Sequence, residues 1–323
     1  MMGALRNLSI SQQVGLLFVG LFGLLITVTV IAFWRTLRDL TPEQLETHDR
    51  FMRDLRAIWL GAVLFWISWV LGAVAATLLF GIVSFVAFRE FITLTHTRRA
   101  DHRSLLLAFF LILPLQFVLA GGRRFDLFTV FIPVYVFFAI PVVSAFGNDP
   151  LRFLERTAKI QWGIMVCIYG MSHAPALLLI DLPDYAGRGA FLVFYLVAVV
   201  AAAQIMQEAA SRRLRRRPVA RAISRSFSWR AWLVGALSAA FVGALLYWAT
   251  PFKPIPALVM GFIAGATGSL GEFVMKALKR DAGVRNWGGK ASVTGAVGLL
   301  DRVAPLCFAA PVFFHAVRWY FGL

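Results

Sequence analysis

The stretch GFIAGATGSLGEFVMKALKRDAGVRNWGGKASVTGAVGLLDRVAPLCFAAP, residues 261 to 311, sets two apolar segments on either side of a short basic loop. Four glycines in the first segment fall within one helical sector at about 100° per residue, so neighbouring helices can approach closely there. They are Gly261, Gly265, Gly268 and Gly271. Glu272, Lys276 and Lys279 continue the same sector toward the loop. The stretch therefore predicts close helix packing that runs directly into a charged patch at a membrane border.

The composition of the chain is that of a membrane protein. Sixty per cent of the residues are hydrophobic, and the mean hydropathy is +0.76. Several apolar runs reach about 20 residues, the length that an α-helix needs to cross the hydrocarbon core of a bilayer. We therefore predict an all-α, polytopic integral membrane protein with about nine transmembrane helices. The predicted spans are 14–34, 57–88, 105–120, 127–146, 160–180, 189–210, 229–248, 256–278 and 299–321.

The N-terminal part divides from the rest by its charge pattern. The first span is not followed by a small-residue cleavage site, which indicates an uncleaved anchor. Residues 35–56 mix both charges and place Pro42 at a suitable helix start, which favours an interfacial amphipathic helix. The run 57–88 is too long for one untilted span and short for two, so we predict one tilted or bent helix. The predicted domains are residues 1–56 and a membrane-embedded domain over residues 57–323.

The charge balance is strongly basic, with 32 Lys and Arg against 16 Asp and Glu and a net charge of +16. Because the basic residues lie beside the spans, they indicate cytoplasmic loops near anionic headgroups rather than a nucleic-acid site. With the N-terminus inside, the predicted cytoplasmic loops are 89–103, 152–159, 212–230 and 276–302. The loop of the 261–311 stretch is thus expected in the compartment that contains nucleotides.

The polar motifs of the C-terminal stretch follow a definite order. They are Gly271-Glu272, Lys276, Lys279-Arg280-Asp281, Arg285-Asn286-Trp287-Gly288, Ala296-Val297-Gly298 and Asp301-Arg302-Val303-Ala304. This order resembles the C-terminal signature of the CDP-diacylglycerol synthases, also called phosphatidate cytidylyltransferases. Segments 89–103 and 151–162 also look like one bacterial branch of that family. The resemblance implies a multi-pass protein of the bacterial inner membrane that joins CTP to phosphatidate and releases pyrophosphate.

The resemblance also implies roles for particular residues. The implied catalytic residues are Asp301, Lys279, Arg280 and Arg302, of which the three basic ones would neutralise phosphates. The implied substrate-binding residues are Gln207, Ser224, Ser228 and Lys276. The implied Mg²⁺ ligands are Asp301, Glu272 and Asp281. The implied partners are a phosphatidate-like phospholipid and, in an active protein, CTP, and a homodimer is among the assemblies that we consider.

Several reactive groups of the family pattern are replaced in this chain. Four acids of the pattern are replaced, by Gln204, Arg230, Asn286 and Ala304. Phe227 stands in place of a lysine, Ala296 in place of a histidine and Lys276 in place of a serine. Polyphosphate transfer depends on a hard cation held by carboxylates, for which amides are poorer ligands and alanine is none. We therefore do not expect a conventional two-cation site.

Each motif also has a purely structural interpretation. Asp301-Arg302 would form a structural ion pair, Lys279-Arg280 would mark the inner membrane edge, and the basic run 212–217 would face lipid. Gln204 and Glu208 share a helix face and fit either a residual cation site or inter-helix hydrogen bonds. His173 within a span is costly and often functional, although packing beside Pro175 is the better supported interpretation. Cys167 and Cys307 fit small buried hydrophobic residues.

The sequence is compatible with three candidate functions of the protein. The first is the family reaction, and the second is a non-catalytic paralogue that binds phospholipid or regulates a partner in lipid synthesis. The replaced acids argue against efficient catalysis and so favour the second function. The motif order nevertheless indicates the family's ligands, a phospholipid and CTP. A transporter has little support, because few ionisable groups lie in mid-span and no clear inverted repeat is present.

Overall fold

The structure is a computed structural model that describes residues 8–36, 42–95, 97–182, 185, 187–214, 217–224, 226–283 and 298–323. Within these ranges the regular elements are all helical. The helices are α1 (Ile10–Thr36), α2 (Pro42–Leu71), α3 (Ala73–Thr93), α4 (Arg99–Gly121), α5 (Phe125–Ala145), α6 (Phe153–Leu179), α7 (Gly189–Leu214), α8 (Trp229–Leu245), α9 (Pro254–Asp281) and α10 (Leu299–Phe321). Turns of π-helix interrupt α4, α5 and α6.

Most of these helices are long and apolar enough to cross a bilayer. Eight described helices meet that requirement, namely α1, α3, α4, α5, α6, α7, α9 and α10. Helix α8 is also apolar but has 17 residues. The predicted all-α, polytopic membrane fold is therefore confirmed.

The contacts divide the chain into two compact units, residues 1–76 and 77–323. In the first unit, α1 and α2 pack through a small apolar cluster that includes Leu25, Ala32 and Leu55. The indole N–H of Trp59 donates to the hydroxyl oxygen of Thr29 across 2.9 Å. The predicted helix start at Pro42 is confirmed, and α2 continues from there through the charged residues into the apolar ones.

The prediction of a single helix over residues 57–88 is wrong. Gly72 has a φ of +89°, a left-handed conformation that ends α2 before α3 begins at Ala73. A glycine inside an apolar run is also compatible with a continuous helix, so the sequence alone did not reveal the break.

The second unit contains the helices of the 261–311 stretch, and its glycine sector packs as predicted. A Cβ atom added to Gly261 would lie 2.7 Å from the carbonyl oxygen of Ala239 on α8. A Cβ atom on Gly268 would lie 3.2 Å from the carbonyl oxygen of Pro305 on α10. The glycines thus allow α9 to lie against both neighbours at backbone distance.

The order of spans in the second unit gathers the motifs at one end. Since consecutive spans cross in opposite directions, the ends of α3, α5, α7 and α9 lie on the same side as the starts of α4, α6, α8 and α10. Among the described residues of this unit, these ends carry Glu90, Lys276, Lys279, Asp281 and Asp301.

Candidate functional site

The site begins with an ion pair between the last turn of α9 and the first turn of α10. The ammonium of Lys279 lies 2.6 Å from Oδ1 of Asp301. The Lys279 side chain is only 13% exposed and that of Asp301 is 31% exposed, so this pair is better shielded than a surface salt bridge. The structure therefore brings two of the predicted catalytic residues together although 22 positions separate them.

A second charged group lies two turns earlier on α9. The ammonium of Lys276 lies 2.7 Å from Oε1 of Glu272, one helical turn away. The side-chain amide of Gln204 on α7 donates to Oε2 of the same carboxylate across 3.4 Å. Both oxygens of Glu272 thus have partners within the protein. Glu208, which shares a helix face with Gln204, instead pairs with Arg212.

A third carboxylate, missed as a site residue by the sequence analysis, lies at the start of α10. Glu90, in the last turn of α3, is 2% exposed. Its two oxygens accept the backbone N–H groups of Leu299, at 3.3 Å, and of Leu300, at 2.9 Å. These donors belong to the first turn of a helix, where N–H groups have no partner within the helix. Glu90 therefore caps the helix that carries Asp301.

The other charged residues of the motif lie further out. Asp281 is 71% exposed, and its Oδ2 lies 3.9 Å from the ammonium of Lys159 on α6. Arg280 and Arg302 are exposed. Asp281 thus pairs with a lysine of another helix, while the arginines extend the basic surface at this end.

The segment before α8 uses its predicted binding residues for local structure. The Ser228 hydroxyl accepts the N–H of Ala231 and caps α8, and the Ser224 hydroxyl accepts the N–H of Phe227. Phe227, at the position of a lysine in the family pattern, is buried and stacks on Phe273 of α9 with ring centroids 4.3 Å apart. Aromatic packing therefore occupies a place where a charged group would bind phosphate.

Gln207 is the remaining predicted substrate-binding residue. It is buried on α7, and its Cβ would lie 3.0 Å from a Cβ atom added to Gly235 of α8. Its side-chain oxygen lacks a hydrogen-bond partner among the described groups. Helix packing thus accounts for its position, while its oxygen retains an unused acceptor.

Several predictions fall on parts of the chain outside the description. Residues 284–297, which include Asn286 and Ala296, lie outside the described residues. So do Arg215 and Arg216 of the basic run 212–217. Ala304, at the position of a second acid on α10, is described and is buried. It contributes a methyl group to the packing in place of a carboxylate.

The described side chains do not fit a divalent cation held by carboxylates. In the part of the chain that the structure describes, no three His, Cys, Asp or Glu side chains converge as a metal-binding group. Glu272 and Asp301 each already contact an ammonium, so a divalent cation would have to share the carboxylate with a positively charged lysine or displace it. The assignment of Mg²⁺ to Asp301, Glu272 and Asp281 stays a prediction.

A buried ion network joins the starts of α4 and α6 at the same end of the unit. The Arg156 side chain, 6% exposed, lies 3.4 Å from Oδ1 of Asp101 and 2.7 Å from Oδ2 of Asp149. Arg98 also contacts Asp149. The hydrogen bond from Arg156 holds the pKa of the Asp149 carboxyl below its usual value. These contacts fix the loops that precede the two helices.

The polar residues within the spans form a separate group. His173 is fully buried, with Nδ1 donating to the carbonyl oxygen of Tyr169 across 2.7 Å, and its ring packs against Phe128 and Phe314. Cys167 and Cys307 are buried free thiols, in agreement with the sequence-based interpretation. The geometry of His173 is that of a packed histidine one helical turn beyond its backbone acceptor.

Comparison with known proteins agrees with this arrangement of helices and motifs. The model of the cytidylyltransferase family matches residues 51–320. The chain therefore belongs to this family, which is that of the CDP-diacylglycerol synthases. Among individual proteins, it is 32% identical over 246 residues to the uncharacterized protein YnbB of Escherichia coli (strain K12), covering 74% of this chain and 78% of that protein.

Proposed function

We propose that this chain is a phosphatidate cytidylyltransferase-like membrane protein that binds the phosphate group of a phosphatidate-like phospholipid without efficient cytidylyl transfer. The observation that supports this proposal concerns Glu272 and Asp301, two carboxylates at positions where the family pattern has acids. Each is paired with a lysine, Glu272 with Lys276 and Asp301 with Lys279. Because the ammonium beside each carboxylate offsets its negative charge and repels a further cation, the cluster favours an anion over a divalent cation.

The cations of this cluster can serve a phosphate directly. An ammonium group has three N–H donors, so Lys279 retains donors after its bond to Asp301. Arg280 and Arg302 are exposed at the same end of the unit and can each contact phosphate oxygens with a planar pair of donors. A lipid phosphate reaches this end from the membrane border without leaving the bilayer, which favours phosphatidate over a soluble phosphate.

The basic residues at this end of the unit indicate the orientation of the protein in the membrane. Many of the Lys and Arg residues of the chain lie in or beside the loops before α4, α6, α8 and α10, on this side of the membrane. By the positive-inside tendency this side is cytoplasmic, in the inner membrane of a bacterium. The cluster would then meet newly made anionic lipid of the cytoplasmic leaflet.

The family reaction is the second candidate function. It is favoured by the family match over residues 51–320 and by the retained pair of Asp301 and Lys279. In that case Mg²⁺ would require ligands in addition to those described, and CTP and phosphatidate would give CDP-diacylglycerol and pyrophosphate.

Turnover of labelled CTP by the purified full-length protein, with phosphatidate and Mg²⁺, separates the two candidates. We expect no CDP-diacylglycerol above a heat-treated control, together with retention of labelled phosphatidate by the same preparation. Steady formation of CDP-diacylglycerol would overturn the non-catalytic proposal and establish the family reaction. Failure to retain phosphatidate would overturn the lipid-binding function itself.

A further inference from the structure

We propose that Glu90 is a positioning residue of the lysine–acid cluster, acting through the start of α10 to place Asp301 opposite Lys279. This inference rests on the proposed binding of a lipid phosphate at the cluster. It adds a residue from α3, far from the 261–311 stretch in the chain, to the site.

The contacts of Glu90 are those of a helix cap supplied by another helix. Its carboxylate accepts N–H groups from two consecutive residues, Leu299 and Leu300, at 3.3 and 2.9 Å. The negative charge lies at the positive end of the α10 dipole, where it is favourable. The preceding residue, Gly298, has a φ of +76° and supplies no side-chain cap of its own. The start of α10 therefore depends on a carboxylate from α3.

The geometry links this cap to the ion pair. Asp301 follows Leu300 directly, so the first turn that Glu90 holds is the turn that presents the Asp301 carboxylate. The Lys279–Asp301 pair is a direct, charge-assisted contact of 2.6 Å, so its geometry depends on where the first turn of α10 places the Asp301 carboxylate. Loss of the cap would move Asp301 relative to Lys279 and change the ammonium that contacts the phosphate.

The effect of replacing Glu90 distinguishes a purely structural cap from a positioning residue. A cap that only stabilises the fold would lower the unfolding temperature but leave the affinity of the folded protein for phosphatidate unchanged. A positioning residue changes that affinity in protein that remains folded, and a conservative carboxylate restores part of it.

The experiment measures retention of radiolabelled phosphatidate by immobilised full-length protein in mixed micelles, with phosphatidylcholine as the neutral competitor. Three variants are compared with the wild type: Glu90→Gln, Glu90→Asp and the matched control Glu155→Gln. Glu155 is half-exposed and pairs with Arg152 and Lys159 at the start of α6 rather than with residues of the lysine–acid cluster. The folded fraction of each variant is measured by gel filtration, and affinities are expressed per folded protein.

We expect Glu90→Gln to bind phosphatidate about tenfold more weakly than the wild type, a change of about 1.4 kcal/mol. Glu90→Asp should lie between the two, and Glu155→Gln should bind like the wild type. Unchanged affinity in folded Glu90→Gln would overturn the inference. If that variant does not fold, Glu90→Asp decides the question: weaker binding supports the positioning role and unchanged binding overturns it. A wild-type protein that does not bind phosphatidate would instead overturn the proposed function.

Discussion

Lys276 and Lys279 lie three positions apart on α9, and each contacts one acid of the C-terminal motifs. At the scale of single residues, this pairing sets the chemistry of the cluster. The ammonium offsets the charge of each carboxylate and keeps further N–H donors, which is the basis of the proposed binding of a lipid phosphate. The replacement of a serine of the family pattern by Lys276 thus changes the charge of the site as well as its shape.

The Lys279→Met variant tests whether this ammonium binds the lipid phosphate. We expect phosphatidate affinity to fall by about 10- to 150-fold, since one charge-assisted hydrogen bond is worth about 1.5–3 kcal/mol. Lys253→Met, at the opposite end of α9, provides the matched control because Lys253 is exposed on the other side of the unit. Equal losses in both variants, measured by phosphatidate retention, would show that net charge rather than Lys279 matters.

Part of the residue-scale arrangement was predictable from the sequence, and part was not. The i, i+4 spacing of Glu272 and Lys276 permits their ion pair on a helix, and the glycine sector predicted their direction. The contact of Glu90 with α10 has no local signal, because 209 positions separate Glu90 from Leu299. The only available hint was an acid in the last turn of an apolar span, where a charge requires a partner.

At the scale of helices, α9 is the element on which the unit depends. Its glycines contact α8 and α10 at backbone distance, and a Cβ atom on Gly261 would lie 2.7 Å from the Ala239 carbonyl oxygen. Hydrophobic length predicted this helix well, whereas the break at Gly72 required the structure. Glycine has both roles in one chain, and only the neighbouring elements distinguish them.

The Gly261→Ala variant tests this close packing. We expect it to destabilise the protein by about 1–3 kcal/mol, because the methyl group must push α8 away from α9. Gly23→Ala on α1 is the control, since a Cβ atom there meets no atom within 4 Å and alanine favours a helix. Thermal unfolding in detergent measures both variants. Equal unfolding temperatures for the two would contradict the packing account.

The ion network at the starts of α4 and α6 gives a second prediction at this scale. Replacing Arg156 by Met leaves the buried carboxylate of Asp101 without this cation, which costs about 3–5 kcal/mol. Arg152→Met removes an exposed pair with Glu155 and should cost less than about 1 kcal/mol. Denaturant unfolding compares the two variants, and a larger loss for Arg152→Met would be inconsistent with a structural role for the network.

The same network predicts a dependence of stability on pH. Arg156 lowers the pKa of Asp149 from its usual 3.8, so the unfolded chain binds a proton on this group before the folded protein does. The stabilisation is therefore fully present above about pH 4 and is lost as the pH falls through the lowered pKa. Asp149→Asn should remove this component of the acid destabilisation. An identical pH profile for variant and wild type, measured by thermal unfolding, would exclude it.

At the scale of the whole molecule, the chain belongs to the cytidylyltransferase family, while several reactive residues of the family pattern are replaced. The apolar runs and the motif order predicted the membrane fold and the family, both of which are confirmed. Three further properties depend on side chains from several helices: the lysine pairing of Asp301, the stacking of Phe227 on Phe273 and the cap by Glu90. Such contacts between distant parts of the chain cannot be read from motif spacing.

In the proposed function, the cluster binds a lipid phosphate through its own cations, without a divalent metal ion. The most direct measurement is retention of labelled phosphatidate by the full-length wild-type protein in excess EDTA and then in excess Mg²⁺. We expect equal affinity under the two conditions and no effect of added CTP. Binding that appears only with Mg²⁺, and that changes when CTP is added, would contradict it.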